Sequence, residues 1–271
     1  MQLDGKKFFY VNPLEVIPGI SGEAVTHKHD LPQRPKWFGC ACCPPNVART
    51  LTSIAEYAWS EEENILYSNL YVGGTLKNTD SRKMTVHVET KYPYDGKISY
   101  RMEGEEGVKA QFTLAIRIPD WCTNYTLNVD NAEKKNGYVY IEKEFRDGDE
   151  IILNLDMTPS FVYANPAVAA DSGKAAIMRG PLIYCVEGVD NEGDVLGLSL
   201  SEEEKITVCD YDADMLSGIV PLKVAGYRTV AMTGLYTKEK PKRTEVEITA
   251  IPYYAWGNRG LNEMRVWLPV R

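Results

Sequence analysis

From residue 60 onward the chain is written in short alternating runs, and this period of two constrains its fold more than any other feature. "NILYSNLYVGG", "KMTVHVETKYP", "KISYRME", "QFTLAIRIPDW", "YTLNVD", "GYVYIEKEF" and "DEIILNLDM" are rich in Val, Ile, Thr and Tyr and are separated by Gly, Asn and Asp. Successive side chains of a strand point to opposite faces, so each run offers one apolar and one polar face. β-Branched and aromatic residues fill such a pleated surface well. Strands at this spacing predict an antiparallel sandwich over residues 60–163, with "RDGDE" as a hairpin turn. "YANPAVAADSGK" breaks the pattern and marks a domain boundary. A second strand series follows in "KAAIMRGPLIYCVE", "EKITVCD", "IVPLKVAGYRTV", "TEVEITAIPYYAW" and "EMRVWLPV".

The first 59 residues read differently. Up to residue 43 there are only short extended pieces and turn signals, "FFYVNPLEV", "PGISGE" and "KHDLPQRPK". Val47, Leu51, Ile54 and Ala58 then fall at steps of four, three and four, the period of one apolar helix face. Pro44 or Pro45 suits the first helical turn, where a missing N–H costs nothing. The spacing predicts a helix from there to about Trp59, ending before a solvated turn at "EEEN". A single amphipathic helix lacks the neighbours that its apolar face requires, so the chain is expected to be the C-terminal part of something longer.

A net charge of −8 and a pI near 5.1 argue against nucleic acid or an anionic membrane as partner. No run approaches the roughly 20 apolar residues of a membrane-spanning helix, and "MQLDGKKFFYV" lacks the apolar core of a signal peptide. The six cysteines do not have the spread spacing of a secreted disulfide framework. Reduced thiols, and with them a cytoplasmic location, are the expectation. Cys122, Cys185 and Cys209 sit in strand-like apolar surroundings and read as small buried hydrophobes.

"KWFGCACCPPNVART" is the segment with chemistry in it. Neighbouring Cys42 and Cys43 do not readily pair with each other, because adjacent side chains diverge. Zinc accepts thiolates, and a C-x-C-C cluster could give two or three ligands from one turn. At a helix N-terminus, unpaired N–H groups and the macrodipole also favour an anionic sulfur, which makes a nucleophile or a ligand of it. Buried structural cysteines and redox exchange remain as the other readings. His27 and His29, in "THKHD", could add ligands but read first as solvated loop residues. His87 reads as a strand residue, and Glu15 and Glu23 are the carboxylates nearest the cluster in an apolar context.

"FFYVNPLE", "WFGCACCPPNVARTLTSIAEY", "RGPLIYCVE" and "PYYAWGNRGLNEMRVWLP" together resemble family 127 of the glycoside hydrolases, the β-L-arabinofuranosidases, over essentially the whole chain. The resemblance implies a mainly β fold: two antiparallel β-sandwich domains preceded by a terminal helical fragment of an (α/α)6 barrel. Its layout would be 1–59 as the barrel remnant, 60–163 plus 263–271 as the first sandwich, and 164–262 as the second. It implies that Cys42 is the catalytic nucleophile, that Cys42 and Cys43 bind zinc, and that Tyr10 faces the sugar; Cys40 is not carried over as a ligand. The family reaction is retaining hydrolysis of an L-arabinofuranoside or a related plant-derived oligosaccharide through a glycosyl-cysteine intermediate. In the family the acid/base glutamate and the other zinc ligands lie upstream of the cysteine pair. Only 41 residues precede Cys42 and none shows that constellation, so the chain is expected to be inactive alone. The alternative is a non-catalytic β-sandwich module that binds carbohydrate, its cysteines a relic.

Overall fold

Each series of alternating runs builds its own buried packing, one cluster in the first and two in the second. The structure is a computed structural model that describes residues 1–22, 31–40, 42–77, 83–230 and 232–271. It divides into a central unit, residues 42–157, and a discontinuous unit made of residues 1–41 and 158–271. In chain order the first elements are strand β1 (Glu15–Val16) and helix α1 (Cys43–Ala58). The central unit continues with β2 (Trp59–Glu62), β3 (Ile65–Ser68), β4 (Gly74–Leu76), β5 (Thr85–Thr90), β6 (Lys97–Glu103) and β7 (Lys109–Arg117). It is completed by β8 (Tyr125–Leu127), β9 (Glu133–Lys135), β10 (Tyr138–Arg146) and β11 (Glu150–Leu155).

These strands form two five-stranded sheets, ordered β2-β3-β7-β10-β9 and β4-β5-β6-β11-β8. Alternate residues meet between them, including Ile98, Tyr100 and Met102 from β6, Phe112, Leu114 and Ile116 from β7, and Ile151 and Leu153 from β11. The expected sandwich is therefore present in the central unit, with one departure: β3 runs parallel to β7, pairing Ile65 with Thr113 and Ser68 with Ile116. The run "EEEN" is also more ordered than a bare turn. Glu61 and Glu62 end β2, and only Glu63 and Asn64 make the turn into β3, with Glu63 in the left-handed region at φ 44°.

The discontinuous unit adds β12 (Ser160–Tyr163), β13 (Lys174–Arg179), β14 (Leu182–Glu187), β15 (Leu198–Leu200), β16 (Ile206–Val208), β17 (Leu222–Thr229), β18 (Arg243–Pro252), β19 (Met264–Arg265) and β20 (Leu268–Pro269). With β1 they make one ten-stranded sheet, not two stacked ones. It curls until its ends meet: β13, β14, β18, β17 and β15 are hydrogen-bonded in turn, and β20 pairs with β13 on one side. On the other side Val270 bridges to Leu200, and the Arg271 N–H donates to the Leu200 carbonyl at 2.9 Å. One face fills the interior with Ile177, Tyr184, Leu200, Val224, Ile248 and Leu268. The other face buries Ala176, Cys185, Ile251 and Met264 against Val16 and Trp256.

Two expected boundaries are corrected by this arrangement. Residues 263–271 do not return to the first sandwich; β19 pairs with β1 and β14, and β20 with β13. The reason is closure: β20 satisfies a sheet edge that would otherwise expose its N–H and C=O groups, while Leu268 enters the core. The second unit begins at Thr158, before the predicted break, because Phe161 of β12 packs into its interior. Within the fold, residues 1–41 group with 158–271, and α1 groups with the central unit. Among the described residues no helix is long and apolar enough to cross a membrane.

Candidate active site

The cysteine pair owes its position to the start of α1. Pro44 and Pro45 occupy the first helical turn, where no intrahelical N–H bond is required. Cys42 is the N-cap, already at helical φ −78° and ψ −31°, and Cys43 is the first helical residue. The Asn46 side-chain amide donates to the Cys42 carbonyl at 2.9 Å, and Arg49 donates to the Asn46 side-chain oxygen. This chain of local bonds holds the backbone at the cluster. The two sulfurs lie 3.8 Å apart, well beyond the ~2.05 Å of a disulfide. Cys40 and Cys42 are exposed, Cys43 is half-buried, and none of the six cysteines is in a disulfide.

The predicted helix thus runs almost as expected, but its apolar face does not find a core. Ala58 is buried, whereas Val47, Leu51 and Ile54 remain 42%, 64% and 38% exposed.

Tyr10 is placed by strand-like alternation in "FFYVNP". Phe8 and Tyr10 turn to one side, where the Tyr10 ring meets Phe38 edge-on at 4.3 Å between centroids, and the Tyr10 hydroxyl donates to the Cys40 carbonyl. Phe9 turns to the other side and stacks on Trp256 at 5.0 Å and 9°. The Arg34 guanidinium lies 5.0 Å over Phe9 and 5.2 Å over Trp256. Burial lowers its pKa, and the nearby Glu187 carboxylate opposes that shift. The Tyr253 hydroxyl donates to the Pro13 carbonyl at 2.8 Å, so the segment carrying Tyr10 is fastened along its length to the discontinuous unit.

Beneath Trp256 lies a buried charge network with no forewarning in motif or period. Glu187, fully buried at the end of β14, accepts from the Gly257 N–H at 2.7 Å and from Arg259 at 2.5 Å. Arg259 also holds Asp190. The available signal was a carboxylate closing the apolar run "LIYCVE" and an arginine in the Gly-rich "WGNRG".

Of the other candidates, His27, His29 and Glu23 lie outside the described residues. Glu15 on β1 pairs with Arg265 of β19 at 2.5 Å. His87 lies in β5, bonded to Thr75 at 3.1 Å and to Glu103. Cys122 and Cys185 are buried, and Cys209 is half-buried. Among the described residues no group of three or more His, Cys, Asp or Glu side chains converges to hold a metal.

Three family models match the chain in succession. Residues 1–56 match the β-L-arabinofuranosidase GH127 catalytic domain, 65–157 the GH127 middle domain, and 159–269 the glycoside hydrolase family 127 C-terminal domain. The non-reducing end β-L-arabinofuranosidase of Bifidobacterium longum subsp. longum is 34% identical over 284 aligned positions, covering 98% of this chain and 42% of that protein. A solved GH127 β-L-arabinofuranosidase from Geobacillus stearothermophilus T6 is 40% identical with a TM-score of 0.91, covering 100% of this chain and 44% of that one. A solved GH127 β-arabinofuranosidase is 32% identical with a TM-score of 0.83, covering 100% of this chain and 43% of its own. The chain spans less than half the length of these relatives.

Proposed function

Because the chain belongs to glycoside hydrolase family 127, we propose that it contributes to a retaining β-L-arabinofuranosidase whose nucleophile is the Cys42 thiolate. The observation that carries this reading is the pair of adjacent thiols at the mouth of α1, within the stretch matched by the family's catalytic-domain model. The substrate class is an L-arabinofuranoside, as the activities of the relatives suggest. We assign α1 to an (α/α)6 barrel, on the strength of that same match and of its exposed apolar face.

Zinc fits the pair by distance. Two thiolates bound at about 2.3 Å with a tetrahedral angle stand about 3.8 Å apart, the separation of the Cys42 and Cys43 sulfurs. These two residues would fill two of four positions, and the others would come from outside the described residues. When bound, the ion would keep both sulfurs ionised at neutral pH.

The chemistry then falls to Cys42. Its sulfur attacks the anomeric carbon, a C–S bond forms as the glycosidic C–O bond breaks, and the departing oxygen takes a proton from a carboxylic acid. Water next attacks the same carbon, the C–S bond breaks with its electron pair returning to sulfur, and the carboxylate takes the water proton. Two inversions give net retention, as in glycosidases that use a carboxylate nucleophile. The acid is the glutamate that the family resemblance sets upstream, so the 271 residues alone would not turn over substrates with poor leaving groups. Tyr10 would wall the sugar site, its ring held by Phe38 and its hydroxyl by the Cys40 carbonyl.

A nitrophenyl β-L-arabinofuranoside tests the nucleophile directly, because nitrophenolate departs without a proton. We expect one equivalent of nitrophenol per chain and one pentosyl group on Cys42 by peptide mass spectrometry, both abolished by Cys42→Ser. Release unaffected by that substitution, no release above it, or a label on another residue would overturn the assignment.

A further inference from the structure

The outer face of the β2-β3-β7-β10-β9 sheet carries an open groove of about 1090 Å³ that the cysteine chemistry does not use. Its centre follows from register. Tyr67 on β3 and Tyr140 on β10 both pair with Ala115 of β7, a buried small residue that leaves the space above it to the two rings. The rings stand 6.2 Å apart and nearly perpendicular, and Tyr138 joins Tyr67 edge-on at 5.3 Å. Tyrosines in a sandwich usually serve the core; Tyr67 and Tyr140 face away from it and line the groove. The Tyr67 hydroxyl donates to Glu62 at 3.3 Å and is pushed up to about 12, chiefly by its hydrogen bond with Tyr140, so it stays protonated at neutral pH.

Around the rings lie Gln111, Thr113, Asn131 and Asn136, which between them offer amide and hydroxyl groups that both donate and accept. That set matches sugar hydroxyls, which also do both, while the apolar face of a sugar ring suits an aromatic platform. The charges narrow the ligand further. Asp130, Glu133, Glu142 and Glu144 outnumber Lys135 and Lys143, so the groove repels uronic acids and phosphates. Its volume suits several sugar units better than one.

We propose that this groove is a second, non-catalytic carbohydrate site that takes a neutral arabinose-containing oligosaccharide, with Tyr67 and Tyr140 as its stacking platform. The sugar class rests on the glycoside hydrolase reading; the site itself does not depend on Cys42.

The test is electrophoresis of the whole chain through gels containing neutral arabinan or acidic polygalacturonate, with titration calorimetry on arabino-oligosaccharides for affinity. The chain should be retarded by arabinan and not by polygalacturonate. Tyr67→Ala and Tyr140→Ala should each weaken binding about tenfold, the scale of one lost aromatic contact. Gln111→Lys, which fills the groove without touching the core, should do the same if an alanine variant fails to fold. Cys42→Ser should bind as the parent does. No retardation by arabinan, equal retardation by polygalacturonate, or unchanged binding in the groove variants would overturn the proposal. Loss of binding in Cys42→Ser would overturn it too, while leaving the nucleophile assignment standing.

Discussion

Arg259→Met should be among the most damaging single changes in the discontinuous unit. Glu187 is 0% exposed, and its two donors are the Gly257 N–H at 2.7 Å and Arg259 at 2.5 Å. The methionine keeps much of the arginine's volume but leaves a fully buried carboxylate hydrogen-bonded to the amide alone, with the Arg34 charge nearby. Breaking a buried pair by removing one partner costs about 3–5 kcal/mol, because the remaining charge is desolvated without compensation. Asp190 keeps some contact with water and adds little to that sum. The unfolding equilibrium should therefore shift by a factor of about a hundred to a few thousand. Urea denaturation followed by amide exchange in β18 would measure it, since β18 pairs directly with β14, the strand that ends in Glu187. Adding Glu187→Gln should recover much of the loss, with a coupling of at least about 2 kcal/mol in the double-mutant cycle. A cost below about 1 kcal/mol for Arg259→Met, or zero coupling, would refute the view that this network holds the loop bearing Trp256.

The remaining expectations concern pH and packing. Burial raises the Cys185 thiol well above its ordinary value and pushes the Tyr184 and Tyr253 hydroxyls up to about 12. The unfolded chain releases these protons from about pH 8.5 for cysteine and about pH 10 for tyrosine. It then binds fewer protons than the native state, so the stabilisation present below pH ~8.5 declines as pH rises toward the folded values. Urea midpoints should fall through this range, and Cys185→Ala should reduce the portion that begins near pH 8.5, to which the buried Cys122 thiol also contributes; an unchanged slope there would contradict the assignment. Tyr100→Phe should cost about 1–3 kcal/mol by thermal melting, because it strips Ser68 of a buried hydrogen-bond partner 2.9 Å away. At Gly96 a Cβ would sit 2.1 Å from the Leu155 carbonyl oxygen and 2.9 Å from Met157 Cγ. Gly96→Ala should accordingly destabilise the central unit by about 1–3 kcal/mol, and a neutral melt would show that the β11 end yields more readily than its packing implies.

Period and punctuation were enough for most of the local structure. The alternating runs between residues 65 and 155 became β3, β5 to β8, β10 and β11, the short β4 and β9 falling outside them, and the step pattern around Leu51 became α1 within two residues of its expected ends. Cys42 and Cys43 stood out because two adjacent thiols before two prolines have few local explanations. β12 and β15 escaped notice, since three or four residues are too few to display alternation. Tyr10 drew attention through the family motif, whereas its bond to the Cys40 carbonyl joins residues thirty positions apart and has no local trace.

Local sterics and solubility act between near neighbours, and a linear chain records them: which residues extend, where they turn, which face is apolar, and where thiols crowd a helix start. The parallel seam of β3 on β7, the closure of β20 against β15, and the burial of Glu187 beneath Arg259 and Trp256 depend on partners 48 to 72 residues away or more. Such pairings are chosen by the free energy of closing a whole sheet and emptying its core of water, which no window of sequence contains.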